Sequence, residues 1–216
     1  MSTTLNLTAL DPGGLVALLS NPMPSSGDDH GDAALVLRAR EGEREAARAL
    51  FERHRDAVGS LTLRLLRHRA DAEEAAQDAF VRALDKLHQL DEPAEFGRWL
   101  RSIAINECRR RRRAAWWRRV GARLGVAPER DGELTLDAMA APSCGPDVRE
   151  ALAAVDAVLR TLPEAHRDAW TLHLVEGLTL PEAAAACGCS LATVKRWIAA
   201  VDARIAPVAK LHAEEP

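Results

Sequence analysis

Apolar side chains recur along this chain at intervals of three and four, the period of a helix with one packed face and one wet face. Phe96, Trp99, Leu100 and Ile103 stand at i, i+3, i+4 and i+7 and predict a helix whose first half packs. Upstream, Ala47, Leu50, Phe51, Val58, Leu61 and Leu65 keep helical spacing, although Gly59 among them costs up to about 1 kcal/mol relative to alanine. Between these two, Ala76, Phe80, Ala83, Leu84 and Leu87 mark the inward side of a helix running to about Leu90. Asp71 with Glu74 three residues on resembles a capping box at its start. A short helix with Leu35, Val36 and Ala39 precedes all of these, with Asp32 placed to cap it and Gly42 to end it.

The pattern resumes near Asp147. Leu152, Val155, Val158, Leu159 and Leu162 line one helix; Pro163 suits the first turn of the next, which carries Trp170, Leu174 and Val175 and stops at Gly177. Thr179 and Glu182 form a second capping box for a short helix ending near Cys187. Gly188, Cys189 and Ser190 then turn the chain into a helix carrying Val194, Ile198, Val201 and Ile205. A short helix, a glycine turn and a longer helix make a helix-turn-helix. Ala192, Thr193, Lys195, Arg196 and Ala199 face outward near the end that enters a major groove. Residues 1–31 and the stretch from Gly121 to Pro146 scatter glycine and proline without an apolar period. The expected fold is all-α, two small helical domains joined by a flexible linker: a leader at 1–31, a first domain at 32–117, a linker at 118–146, a helix-turn-helix domain at 147–206 and a tail at 207–216.

Composition supports helices, since tyrosine is absent and β-branched runs are scarce. The net charge of -3 argues against polyanion binding by the whole surface, yet it hides a basic stretch. From Arg98 to Arg123 there are ten arginines against the single acid Glu107, five of them consecutive from Arg109 to Arg113. At about 100° per residue, Trp99, Asn106, Arg110 and Arg113 fall along one stripe at the edge of the apolar face. A ring, an amide and two guanidinium groups in line can stack on a base, hydrogen-bond its edge and hold phosphates. A core tryptophan on a solvated helix end is the plainer reading, and the arginine run favours nucleic acid over it. The last domain is weakly equipped by comparison, with six Lys plus Arg against eight Asp plus Glu from Asp147 to Ile205.

Glu73, Glu74, Gln77, Asp78, Arg82 and Asp85 share the other face of the helix that ends near Leu90. Such a face is a solvated surface or a docking surface. A metal-dependent nuclease using Glu74, Asp78 and Asp85 is a third reading, and loss of cleavage on chelation would be its signature. Cys108, Cys144, Cys187 and Cys189 lack paired ligand spacing and read as reduced thiols, with no metal or cofactor expected. No apolar run approaches the roughly 20 residues of a membrane span. The first 30 residues hold no Lys or Arg, so a secretory signal is not expected and a cytoplasmic protein is.

Asp71-Ala72-Glu73-Glu74-Ala75-Ala76-Gln77-Asp78-Ala79-Phe80 resembles the polymerase-docking helix of the extracytoplasmic-function sigma factors of bacterial RNA polymerase. Phe96, Trp99-Leu100, Ile103-Ala104 and Asn106 are similar to that family's promoter-melting helix, and Leu162-Pro163-Glu164, Glu176-Gly177-Leu178-Thr179 and Thr193-Val194-Lys195 to its second domain. The resemblance covers roughly residues 32–113 and 147–206, with both blocks in the family's order. It implies that Glu74, Gln77, Asp78, Leu84 and Asp85 dock on the core polymerase's coiled coil. Leu90, Trp99 and Asn106 would surround a base flipped from the minus-ten element of promoter DNA, with Arg109, Arg110 and Arg113 on the same strand. Ala192, Thr193, Lys195 and Arg196 would meet the minus-thirty-five element. An anti-sigma factor is a further partner of the kind this family uses. Ala199, Ala200 and Trp197 depart from the family's usual residues, which weakens the expected minus-thirty-five reading. A helix-turn-helix regulator that never joins polymerase is the alternative, and it leaves the acidic face without a use.

Overall fold

The structure, a computed structural model, describes residues 29–122, 134–139 and 145–213. The described residues contain no strand and divide into two units. The leader up to residue 28, linker residues 123–133 and 140–144 with Cys144, the side chains of Trp116 and Trp117, and residues 214–216 lie outside them.

The first unit holds α1 (Asp29–Arg40), α2 (Arg44–Leu66), α3 (Arg69–Asp85) and α4 (Phe96–Ala122), with short 3-10 turns at Leu87–Gln89 and Pro93–Glu95 before α4. Ala75, Ala79 and Ala83, one turn apart and fully buried, let α3 approach α2 and α4 closely. Val36, Leu50, Val58, Leu61, Phe96 and Leu100 are fully buried and fill the rest of this unit's core. Phe96, Leu100, Ala104, Ile105 and Cys108 on α4 are buried, and Trp99 and Ile103 are left half-buried at the edge of that face.

Several local expectations are corrected. Asp32 does not cap α1: it lies inside the helix, buried, with Oδ2 accepting from His54 Nε2 at 2.7 Å and Oδ1 from Arg53 Nη1 at 2.6 Å. The Asp71–Glu74 pair does not cap α3 either. That helix starts two residues earlier, where the ring of His68 accepts the Asp71 N–H at 3.3 Å. Leu84, expected inward, is 37% exposed, because the close α3 contacts are made by the alanines one residue before it in each turn. Phe51 likewise stays at the surface, edge-on to Phe80 with ring centroids 4.8 Å apart.

The second unit holds α5 (Leu136–Met139), α6 (Pro146–Arg160), α7 (Glu164–Trp170), α8 (Leu180–Cys187) and α9 (Leu191–Ala213). Val194, Ile198, Val201 and Ile205 are all buried, as their spacing requires, and seat α9 against α6, α7 and α8. Trp170 is buried and donates its indole N–H to Asp202 on α9 at 2.9 Å. Leu172, not the expected Leu174, is the buried leucine after it, since residues Thr171–Val175 form a π turn that shifts the helical register. The second capping box is present: Thr179 Oγ1 accepts the Glu182 N–H at 3.4 Å, and the Glu182 carboxylate accepts the Thr179 N–H at 2.8 Å. Gly188 takes φ +68°, the left-handed cap that lets α8 stop sharply before α9. Leu136 is buried and its short helix packs on α6, inside the stretch expected as linker; α9 runs on through Pro207 into the expected tail.

Burial pushes the Asp32 carboxyl up, but the hydrogen bonds and charges of His54 and Arg53 outweigh it and hold the group below its ordinary value. Its folded pKa lies below the unfolded one of about 4. Its contribution to stability is therefore complete above that pH and lost as pH falls through the folded value. Urea unfolding at a series of pH values should show the first unit weakening on acidification. Asp32→Asn should lower stability at neutral pH and flatten that decline.

Candidate nucleic-acid interface

α4 carries both a packed seam and the arginine run, and one residue joins them. Glu107 sits on the seam side at 2% exposure, where an unpaired carboxylate would be costly. Two cations meet it: Arg82 from α3, with Nη1 2.6 Å from Oε1, and Arg110 from the next turn of α4, with Nε 2.8 Å from Oε2. Arg110 also donates to Asp78 on α3 at 2.8 Å. Arg111 donates to Asp78 at 2.7 Å and to Glu74, and Arg112 donates to the Leu65 carbonyl at the end of α2. Burial would weaken the hold of Arg111 on its proton, but the two carboxylates more than offset it and raise its pKa.

The arginine run therefore finds part of its counter-charge inside the unit. Sequence reading missed this because two of the acids, Glu74 and Asp78, lie more than 30 residues upstream, on a helix that only the fold brings alongside. Glu107, Arg82 and Arg111 stand in the sequence as a lone acid, a face residue and part of the run, and only the fold shows that they pair.

What remains outward on α4 is a narrower set. Asn106 and Arg113 are exposed, Trp99 and Arg109 are half-buried, and Arg110 is 47% exposed while engaged with its carboxylates. The Trp99 ring lies 6.3 Å from Phe96, which in turn meets the buried His54 ring edge-on at 5.3 Å. Leu90 is buried, so its turn, and not its side chain, is what the surface presents. Arg40 at the end of α1 holds that turn, its Nε donating to the Leu87 carbonyl at 3.1 Å and its Nη2 to the Leu90 carbonyl. On α3, Glu74, Gln77, Leu84 and Asp85 are exposed and Asp78 is half-buried. Beside them runs an apolar groove between α2 and α3, lined by Phe51, Leu63, Phe80, Val81, Leu84 and Gln77 among others.

In the second unit Ala192, Lys195 and Arg196 are exposed on the first turns of α9, and Thr193 is half-buried. The Thr193 hydroxyl lies 2.9 Å from Ser190 Oγ, which also accepts the Thr193 N–H at 3.1 Å and so caps the helix. Trp197 is occupied with His166 of α7, the rings stacked at 5.4 Å. Burial pushes the Cys189 thiol up, and Cys108, Cys187 and Cys189 are unbridged. Among the described residues no cluster of three or more His, Cys, Asp or Glu could hold a metal ion, and no helix is long and apolar enough to cross a membrane.

Two families match the chain: Sigma-70 region 2 over residues 50–118, and Sigma-70, region 4 over residues 152–200. The RNA polymerase sigma factor NccH of Alcaligenes xylosoxydans xylosoxydans is 32% identical over 175 residues, covering 81% of this chain and 92% of that one. The chain belongs to the extracytoplasmic-function sigma factors of RNA polymerase. The ECF RNA polymerase sigma-E factor of Escherichia coli is 27% identical over 183 residues, 82% of this chain and 95% of its own. Among solved structures, the sigma factor RpoE of Bartonella quintana, in complex with the anti-sigma factor NepR, shares the fold with TM-score 0.55 and 24% identity over 72% of this chain and 91% of that one. In the present chain the region 2 match spans most of α2, all of α3 and most of α4, the region 4 match runs from α6 into α9, and α1 precedes both.

Removing the Glu107 carboxylate from the sigma factor leaves Arg82 and Arg110 facing each other without it. Both are nearly half exposed, so water recovers part of the loss, and Glu107→Ala should cost about 1 to 3 kcal/mol, less than a fully buried pair. Urea denaturation of the wild type and variant measures it, and an unchanged midpoint would mean that α3 and α4 hold together without the ion pairs.

Proposed function

We propose that the first unit docks on core RNA polymerase through α3 and opens promoter DNA with α4, while the second unit contributes a weaker contact upstream. The observation that carries this is the placement of two outward edges in one rigid arrangement. Trp99, Asn106 and Arg113 line α4, and Gln77, Leu84 and Asp85 line α3, which is bonded to α4 through Glu107 and Asp78.

Trp99 offers a ring face to stack on a flipped minus-ten base, and Asn106 an amide for its edge. The turn ending at Leu90 forms the third side. Arg109 and Arg113 are placed for phosphates, and Arg110 joins them from its position over Asp78. On α3, Glu74, Gln77, Asp78, Leu84 and Asp85 flank the apolar groove, a surface suited to a helical element of the polymerase such as a coiled coil. Lys195 and Arg196 supply charge at the minus-thirty-five element, with Ala192 and Thr193 beside them. Capturing a flipped base offsets the few kcal/mol of unstacking, so the chain needs no covalent chemistry of its own to melt DNA.

Its site of action is the cytoplasm, where polymerase and promoter are. Because RpoE of Bartonella quintana was solved with the anti-sigma factor NepR, a partner of that class is proposed for this chain too. A regulator working through the helix-turn-helix alone would leave the α2–α3 groove and the α4 edge unused. The nuclease reading loses support because Glu74 and Asp78 already serve Arg111 and Arg110.

Run-off transcription with purified core polymerase tests the whole reading. Leu84→Arg, which touches none of the ion pairs described, should abolish or greatly weaken polymerase pull-down while leaving helicity intact; wild-type recovery would remove α3 from the docking role. Over promoters randomised in the minus-ten element, Asn106→Ala should cost about 1 to 3 kcal/mol of discrimination at one position, as loss of a paired base contact does. Lys195→Ala should weaken binding evenly across minus-thirty-five variants. An intact minus-ten preference in Asn106→Ala, with a sharp minus-thirty-five preference erased in Lys195→Ala, would reverse the assigned roles.

A further inference from the structure

The walls assigned above to the minus-ten base have supports that are not on α3 or α4. The turn from Leu87 to Leu90 is a single 3-10 turn whose last backbone bond, Leu90 N–H to the Leu87 carbonyl, is long at 3.3 Å, after Gln89 N–H to the Lys86 carbonyl at 2.8 Å. A turn so short has little intrinsic stiffness. Its two end carbonyls are both taken by one guanidinium, that of Arg40: Nε on Leu87 and Nη2 on Leu90. The planar fork of arginine can hold two acceptors in fixed relation, which a lysine ammonium cannot.

The opposite wall is supported from the same helix. Asp32, two turns before Arg40, fixes His54 through a 2.7 Å contact; the His54 ring packs edge-on against Phe96, and Phe96 lies against Trp99. α1 also packs on the Pro93–Glu95 turn that leads into α4, and directly on α4. One polar tether from this helix thus ends on the Leu90 turn, and a second reaches Trp99 through the rings of His54 and Phe96. This helix lies outside the residues matched by either sigma family.

We propose that Arg40 is a positioning residue for minus-ten base selection, holding the Leu87–Leu90 wall through two backbone carbonyls, and that α1 as a whole sets the spacing of that wall from Trp99. The proposal rests on the reading of Trp99, Asn106 and the Leu90 turn as a base pocket. A residue acting through the backbone of one wall changes how well the pocket distinguishes bases, and does so without touching DNA.

Run-off transcription by reconstituted holoenzyme over a minus-ten promoter library tests this, with the wild type, Arg40→Ala, Arg40→Lys and Asn106→Ala compared at a temperature where circular dichroism shows each folded. Arg40→Ala should lower base preference about three- to tenfold, at the same position as Asn106→Ala, and less than the roughly 5- to 150-fold of a lost direct contact. Arg40→Lys should recover only part of that preference. Asp32→Asn, acting on the other wall, should relax the same position.

If Arg40→Ala reduces thermal stability or total transcript while every minus-ten preference stays wild-type, Arg40 is merely structural and the proposal is overturned. If Asn106→Ala also leaves all preferences unchanged, the pocket itself is wrongly placed, and the proposal falls with it. Relaxation at a different position from that of Asn106→Ala would overturn it as well, because the turn would then serve another contact.

Discussion

A carboxylate withdrawn from water has to keep cations beside it, and in the first unit that requirement falls on Glu107. Arg82 comes to it across the interface from α3 and Arg110 from its own helix; Arg110 then reaches Asp78, and Arg111 links Asp78 to Glu74. Sliding α3 along α4 by one residue would strip these partners away. The alanine seam makes the helices close, but alanine is nearly featureless and would tolerate several registers. The charges select one. With the proposed docking edge on α3 and the proposed DNA edge on α4, the same network would set how polymerase and promoter are presented to each other.

The second unit is specified differently. Its helices are delimited by contacts between near neighbours: Thr179 with Glu182, Ser190 with Thr193, and Gly188 in its left-handed turn. A long-range polar bond from Trp170 to Asp202 ties α7 to α9. The unit is net acidic, and its cations at the DNA end are few. In the proposed role, a domain of this kind would add register and orientation to promoter binding more than affinity.

These differences explain what could be read from the chain. The helices, their order and the buried faces of α6 and α9 were legible because apolar periodicity is local. The Thr179–Glu182 box was legible for the same reason. Asp71 and Glu74 had identical spacing, yet His68 captured the helix start, and nothing in the spacing alone distinguishes the two cases. Asp32 was misassigned because its partners, Arg53 and His54, lie on another helix. The outward placement of Asn106, Lys195 and Arg196 followed from helical geometry, whereas the engagement of Arg110 and Arg111 with α3 and of Arg40 with the Leu90 turn depends on contacts more than 30 residues apart. Side-chain pairing across helices carries no local signature, and that is where sequence reasoning stopped.

Only Arg67 and His68 separate α2 from α3, and Arg67 is buried in the left-handed region at φ 54°, its N–H bonded back to the Leu63 carbonyl. A joint this tight has no slack. One residue added within α3 just after it would turn the rest of that helix by about 100° and advance it by about 1.5 Å. Ala75 and Ala79 would swing out of the seam, and Asp78 would leave the arginines it serves. The corner is therefore the phase reference of the first unit. Substitutions elsewhere on α2 or α3 change the strength of individual contacts, but a change of length here dephases the proposed docking edge, the ion-pair network and the core in a single step.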